Sequence, residues 1–337
     1  MRYVLNEVRD IPVNGDTQNI HIRSNKPDSE VLLFVHGGPG VCDRSWVMPE
    51  QSRYLADHCV MVCWDQRMAG KNYRDSRKDE PMTIDQQVED MHDVVNYLRD
   101  RFSKDKIYFV GHSWGSILGV CYLQKYPETI KAYVGMGQFI NGPENEKISY
   151  DFTVDYAREH NDTKAIKDLA AIGEPVGGLY EGGLDALMVQ RNYMTKFGGG
   201  SYKHKENIFK SVLVPFITSG EYSLIPDLYR YAKGTFYCLR KLWPEVVSLQ
   251  FDRDVRKLDV PVYLFQGDHD RNTPTELAKA WFDALEAPYK EYVPFHESAH
   301  SPIKEEPELW GRTLVEKLFS CRPVDFQRAI TYCGCRK

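Results

Sequence analysis

Residues 107–116 read Ile-Tyr-Phe-Val-Gly-His-Ser-Trp-Gly-Ser, an apolar run that ends in Gly-x-Ser-x-Gly and continues into a second apolar segment. This pattern leaves the chain few options. A short strand must pass into a helix through one tight turn, with Ser113 at the apex and its hydroxyl projecting beyond the sheet edge. Gly111 and Gly115 flank the apex, where a side chain would collide with neighbouring backbone. Residues 117–126 read as the helix, and Pro127 ends it. The helix N-terminus beneath Ser113 favours developing negative charge. A serine presented in this way is a nucleophile. The same residues also read as a glycine-rich turn with an incidental serine, so the surroundings must decide.

The surroundings alternate strands with helices. Strands are predicted at 3–8, 19–23, 31–35, 60–64, 107–110 and 132–136, and after a long interruption at 262–266 and 291–293. Several are short, continuous apolar runs, as expected of strands buried on both faces. Thr83 and Gln86 open a helix over 84–102, with Ile84, Val88, Met91, Val95 and Leu98 at helical spacing. A closing helix is predicted over 308–319. This order predicts an α/β fold, with a mostly parallel sheet and helices on both faces. The interruption, residues 140–250, is too long for a loop and mostly helical in period. It reads as a helical cap over the C-terminal strand edge, where open α/β sheets bind ligands. The expected domains are therefore a core of 1–139 and 251–337 and a cap of 140–250.

Composition narrows the function class. Of 337 residues, 42% are hydrophobic, enough for a sizeable core, and the formal net charge of −5 offers no basic footprint for nucleic acid. No apolar run approaches the roughly 20 residues of a membrane span. Residues 1–7 lack the apolar stretch of a signal peptide. The eight cysteines, at 42, 59, 63, 121, 238, 321, 333 and 335, form no zinc arrangement, and Cys333-Gly334-Cys335 is no ligand pair on its own. A reducing, cytoplasmic setting is expected, with no metal or other cofactor, and nothing in the sequence sets the oligomeric state.

A serine hydroxyl needs a base, and the base needs an orienting carboxylate. In this kind of fold the chain order is Ser, acid, His. The acid should follow the strand at 262–266, where Gly267-Asp268-His269-Asp270 offers both Asp268 and Asp270. The base should follow the last strand. His300 lies in Ser298-Ala299-His300-Ser301-Pro302 and is favoured over His296, which reads as a surface histidine. His21, His58, His92, His160, His204 and His269 fall in the wrong place, and His112 sits within the elbow. An acyl-transfer transition state also needs two N–H donors for its oxyanion. One is expected from Trp114, the other from Gly38 in His36-Gly37-Gly38-Pro39-Gly40, with Gly37 bordering the substrate.

Together these residues resemble the α/β-hydrolase superfamily, and within it the proline iminopeptidase-like serine peptidases. The resemblance rests on residues 36–40, Trp64-Asp65-Gln66-Arg67, residues 111–116, Gly267 to Asp270 with Thr273-Pro274, and residues 298–302. It implies that Asp270 is the acid. It also implies that Asp65-Gln66-Arg67 is a structural support and that acidic cap residues bind a peptide's free amino terminus. Glu245 and Glu221 are the candidates for that binding. Two departures stand out. Met68 replaces the glycine of Asp-Gln-Arg-Gly, and Arg271 follows the acid where amine-binding members often carry a carboxylate. A guanidinium there favours an anionic substrate.

The sequence thus predicts a Ser113–His300–Asp270 serine hydrolase, an aminopeptidase releasing N-terminal residues from short peptides through an acyl-enzyme. An esterase, amidase or lactonase acting on a small acyl compound is the alternative. Epoxide hydrolase or dehalogenase chemistry is disfavoured, because those members use Asp at the elbow. A non-catalytic binding protein is disfavoured by the full set of triad residue types.

Overall fold

Eight strands form one sheet in the computed structural model, which describes residues 2–202 and 208–320. They are β1 (Leu5–Val13), β2 (Asp16–Ser24), β3 (Glu30–Val35), β4 (Cys59–Trp64), β5 (Ile107–His112), β6 (Ile130–Met136), β7 (Val262–Gly267) and β8 (Lys290–Phe295). Their spatial order is β1-β2-β4-β3-β5-β6-β7-β8. From β4 across to β8 all pairs are parallel, whereas β1 and β2 pair antiparallel with each other and β2 with β4. His204, Cys321, Cys333 and Cys335 lie outside the described residues.

The antiparallel edge is where sequence and structure differ most. The first strand extends to Val13 rather than stopping at position 8, and it folds onto β2 through Asn14-Gly15, both at positive φ. An Asn-Gly pair is a hairpin turn for just this reason. Its outer strand alternates exposed polar residues and tolerates Pro12, so it shows no apolar run.

Layering follows from the strands' two-sided burial. Along β3, Val31, Leu33 and Val35 join one apolar cluster, and Leu32 and Phe34 join another on the opposite face. The second face is covered by α1 (Arg44–Leu55) and by the last of the described helices. The first face is covered by α2 (Ile84–Phe102) and α3 (Trp114–Lys125). Helix α2 starts where predicted, with the Thr83 hydroxyl accepting from the Gln86 N–H at 3.1 Å. Its apolar stripe, Val88, Met91, Val95 and Leu98, is buried.

After β6 the chain leaves the core for α4 (Gly142–Glu159), α5 (Thr163–Ile172), α6 (Gly183–Lys196), α7 (Ile208–Thr218) and α8 (Leu224–Val246). An antiparallel bridge between Asn141 and Gln250 marks where it departs and returns. The core then resumes with α9 (Phe251–Asp254), α10 (Thr275–Ala284), α11 (Pro302–Glu305) and α12 (Pro307–Leu318). Trp310 and Leu314 of α12 complete the second apolar layer.

Candidate active site

Ser113 joins β5 to α3 at φ 54° and ψ −116°, a conformation that costs an L-residue energy and is held by its surroundings. A Cβ on Gly115 would overlap the Val35 carbonyl, and one on Gly111 would meet the Gly115 carbonyl. Strand β3, the elbow and α3 therefore approach as closely as backbone allows. The Ser113 N–H donates to the Met136 carbonyl at 2.9 Å, tying the apex to β6.

Two loops at the carboxyl ends of β7 and β8 bring Asp270 and His300 to the same place. The Asp270 Oδ2 lies 3.0 Å from His300 Nδ1 and also accepts from the Thr273 hydroxyl at 2.7 Å and Gln266 Nε2 at 3.1 Å. Its Oδ1 accepts from the N–H groups of Asn272 and Thr273 at 2.8 and 2.9 Å. Asp270 is wholly buried. With Nδ1 committed to the carboxylate, the Nε2 edge of His300 is left for the chamber that it lines together with Ser113. The rivals pair with each other instead: Asp268 Oδ2 contacts His296 Nδ1 at 2.6 Å on the exposed surface.

Gly37, Gly38 and Trp114 line the same chamber. A Cβ placed on Gly37 would lie 3.3 Å from the Ser113 Cβ, which shows how near the loop passes. The loop is braced from behind. His36 Nδ1 donates to the Gly37 carbonyl at 2.8 Å, and its Nε2 accepts from the Gln66 N–H at 3.2 Å. Gln66 Nε2 donates to the His36 carbonyl, and Gln66 Oε1 accepts from Trp114 Nε1 at 2.7 Å. One amide thus links both expected oxyanion donors. Burial pushes His36 down to about 4. Burial, then the neighbouring His300, pushes His112 down to about 3. Both imidazoles stay neutral at neutral pH. Burial also pushes the Asp43 carboxyl up to about 8.

The expected substrate-binding charges are placed elsewhere. Glu221 is buried against the core, with Oε2 2.6 Å from His21 Nδ1 and 3.4 Å from Arg44 Nε, and Oε1 3.1 Å from Arg23 Nη2. Burial raises its pKa, but the His21 hydrogen bond and the charges of Arg44 and Arg23 outweigh that and hold it low. Glu245 Oε2 accepts from the Ile84 N–H at 3.0 Å, which caps α2. Arg271 grips Glu276 at 2.8 and 3.0 Å and lies over the Phe152 ring, in a surface hollow. None of the three lines the chamber. Each is engaged by a local partner instead.

The chamber's carboxylates are Glu146 and Glu305. Glu146 is fully buried on α4, with Oε1 against Arg191 Nη2, while Oε2 has no hydrogen-bond partner. The adjacent Asn145 Oδ1 is also unpartnered. Glu305 Oε1 accepts from the Ala299 and Ser301 N–H groups at 3.0 and 3.4 Å and so clamps the residues on either side of His300. Among the described residues no group of three or more His, Cys, Asp or Glu is arranged to hold a metal ion, and no helix is long and apolar enough to cross a membrane.

Comparison with known proteins agrees with this fold. The family model described as alpha/beta hydrolase fold matches residues 30–178. The Bacillus subtilis protein named Probable aminopeptidase YbaC is 29% identical over 308 residues, covering 91% of this chain and 94% of that one. The chain has the α/β-hydrolase fold and resembles the proline iminopeptidase-like hydrolases. Arabidopsis thaliana proline iminopeptidase is 32% identical over 119 residues, 35% of this hydrolase but only 29% of that protein. The Mycobacterium smegmatis proline iminopeptidase structure shares the fold, with a TM-score of 0.61 at 15% identity and coverage of 93% and 97%.

Three features of this hydrolase escaped the sequence reading: the backbone conformation of Met68 and the chamber carboxylates Glu146 and Glu305. Met68, at the position of the family's glycine, keeps the glycine-like conformation at φ 58°. Glu146 follows a strand that ends beside the elbow and opens the first cap helix, four residues into α4. Its place in Asn141-Gly142-Pro143-Glu144-Asn145-Glu146 reads as ordinary acidic helix N-terminus chemistry. The one available signal was position, since a helix that begins directly after β6 must start at the ligand-binding edge.

Proposed function

We propose that Ser113, His300 and Asp270 act as nucleophile, general base and orienting acid. On this reading the enzyme is an aminopeptidase that releases N-terminal residues from short peptides through an acyl-enzyme. The observation that carries the reading is one chamber lined both by Ser113 and His300, which pairs with Asp270, and by Glu146 and Asn145, each of which keeps a buried, unpartnered oxygen. Ser113 Oγ attacks the scissile carbonyl while His300 Nε2 takes its proton. Asp270 fixes the tautomer and stabilises the imidazolium. The oxyanion is met by the N–H groups of Gly38 and Trp114. His300 then protonates the departing amine, and water resolves the ester by the same route. Acyl transfer of this kind needs no metal. Glu146 and Asn145 receive the substrate's ammonium, the role that the sequence reading gave to Glu221 and Glu245. The cap, residues 140–250 between core segments 1–139 and 251–337, roofs the chamber and admits only small substrates. Five free cysteines among the described residues support a reducing, cytoplasmic setting.

The test is labelling with a fluorophosphonate probe, together with turnover of Ala- and Leu-p-nitroanilide beside their N-acetylated forms. Labelling should vanish in Ser113→Ala, and the acetylated compounds should be poor substrates. Equal turnover of acetylated forms supports the second reading, an esterase, amidase or lactonase. One observation favours it: Arg191 already pairs with Glu146, so that pair carries no net charge.

A further inference from the structure

The chamber beside Ser113 encloses about 790 Å³, toward the upper end of the roughly 300–1,000 Å³ usual for small-molecule sites. Its walls are mainly apolar. Helix α8 lays Leu228, Leu239 and Trp243 along it, and α6 adds Leu187 and Met194, while Ile117 rises from α3 one turn beyond the nucleophile. The unpartnered acceptors sit together on α4, at Asn145 and Glu146. A substrate anchored there by its ammonium, with its carbonyl at Ser113, has only its side chain to cover the apolar wall. A proline ring is tied back to its own nitrogen and spans little of that space.

Resting on the aminopeptidase reading, we infer that this enzyme selects a large apolar N-terminal residue, of leucine, methionine or phenylalanine size, over proline or alanine. Each methylene buried in such a pocket is worth about tenfold or more in kcat/KM. Leucine adds three carbons to alanine's methyl group, so an advantage of at least about 100-fold is expected. Methionine at 194 suits a pocket that must adapt to several shapes.

The experiment measures kcat/KM for Leu-, Met-, Phe-, Ala- and Pro-p-nitroanilide and for N-acetyl-Leu-p-nitroanilide. It is run on the full-length enzyme and on Ala232→Trp, which adds bulk on the chamber face of α8. The expected result is Leu, Met and Phe about 100-fold or more above Ala and Pro, with the Leu-to-Ala ratio falling at least tenfold in Ala232→Trp. Pro or Ala matching Leu and Phe, while all require a free amine, overturns the size selection and leaves the aminopeptidase reading standing. N-acetyl-Leu turned over as fast as Leu, or no aminoacyl anilide turned over, overturns both. An unchanged Leu-to-Ala ratio in a folded Ala232→Trp also overturns the placement of the side chain in this chamber.

Discussion

Asp270→Asn separates an orienting acid from a merely structural one. The change keeps shape and removes charge, so the outcome depends on where the new NH2 group goes. At the Oδ1 position it would face the N–H groups of Asn272 and Thr273, which cannot turn away. At the Oδ2 position it faces Gln266 Nε2, the Thr273 hydroxyl and His300 Nδ1. Gln266 is fixed, because its Oε1 accepts from the Gln138 N–H. The Thr273 hydroxyl and the imidazole can each switch from donor to acceptor. The NH2 group therefore takes the Oδ2 position and forces His300 into the tautomer with its proton on Nε2. That tautomer cannot accept the Ser113 proton. The expected loss is about 10⁴-fold in kcat, equivalent to about 5.5 kcal/mol at the transition state. Asp268→Asn breaks only an exposed pair with His296, worth about 0–1 kcal/mol, and should leave kcat within about threefold. The assay is steady-state turnover of an aminoacyl p-nitroanilide, with active sites titrated by a fluorophosphonate and folding checked by thermal melting. A folded Asp270→Asn within tenfold of wild type, or an Asp268→Asn that is the more damaged, refutes the reasoning.

Three further outcomes are expected. Ser113→Gly should lose probe labelling yet melt a few degrees higher, because glycine relieves part of a backbone strain of about 1–3 kcal/mol; a lower melting temperature contradicts this. Glu146→Gln should lower kcat/KM for aminoacyl anilides by about 2–5 kcal/mol while sparing p-nitrophenyl acetate. Glu221→Gln should instead lower stability, by about 3–5 kcal/mol, because it uncovers buried arginines, and Glu245→Gln should leave the chemistry intact. If Glu221→Gln or Glu245→Gln lowers aminoacyl turnover without destabilising the fold, the ammonium site is misplaced. Finally, His36 is pushed from 6.5 to about 4 in the folded state, so between those values the unfolded chain binds the extra proton. Its contribution is full above about 6.5 and is lost as pH falls toward 4, roughly 3 kcal/mol in all. His112 acts in the same direction, and Asp43, pushed up to about 8, acts in the opposite one. Between pH 7.5 and 4.5 the urea midpoint of the wild type should therefore fall more, or rise less, than that of His36→Gln. Equal slopes for the two proteins count against the assignment.

The elbow and the parallel strands were legible because each is a local constraint. Tight turns demand glycine, and doubly buried strands demand unbroken apolar runs. The hairpin's outer strand was only half legible, since one face meets solvent and Pro12 interrupts it. Charged residues of the cap were the hardest to read. Glu221, Glu245 and Arg271 are indistinguishable by type from Glu146, and only packing decides which of them meets His21 and Arg44, a helix end, another side chain or the chamber. Glu305 was missed for the same reason: its clamp on the residues beside His300 exists only after α11 folds back.

Helix α8 has a second face, beside the one that walls the chamber. Gly234, Cys238 and Glu245 recur at helical spacing along it. Cys238 Sγ reaches the Met68 carbonyl at 3.4 Å, and Glu245 holds the start of α2. A side chain at 234 would strike Met68. The roof is bolted to the core along one line and shapes the chamber along the next. Residues on the chamber line can therefore change size or polarity while the bolts stay in place. A single frame can accommodate new ligands by exchanging a few side chains, with the elbow undisturbed.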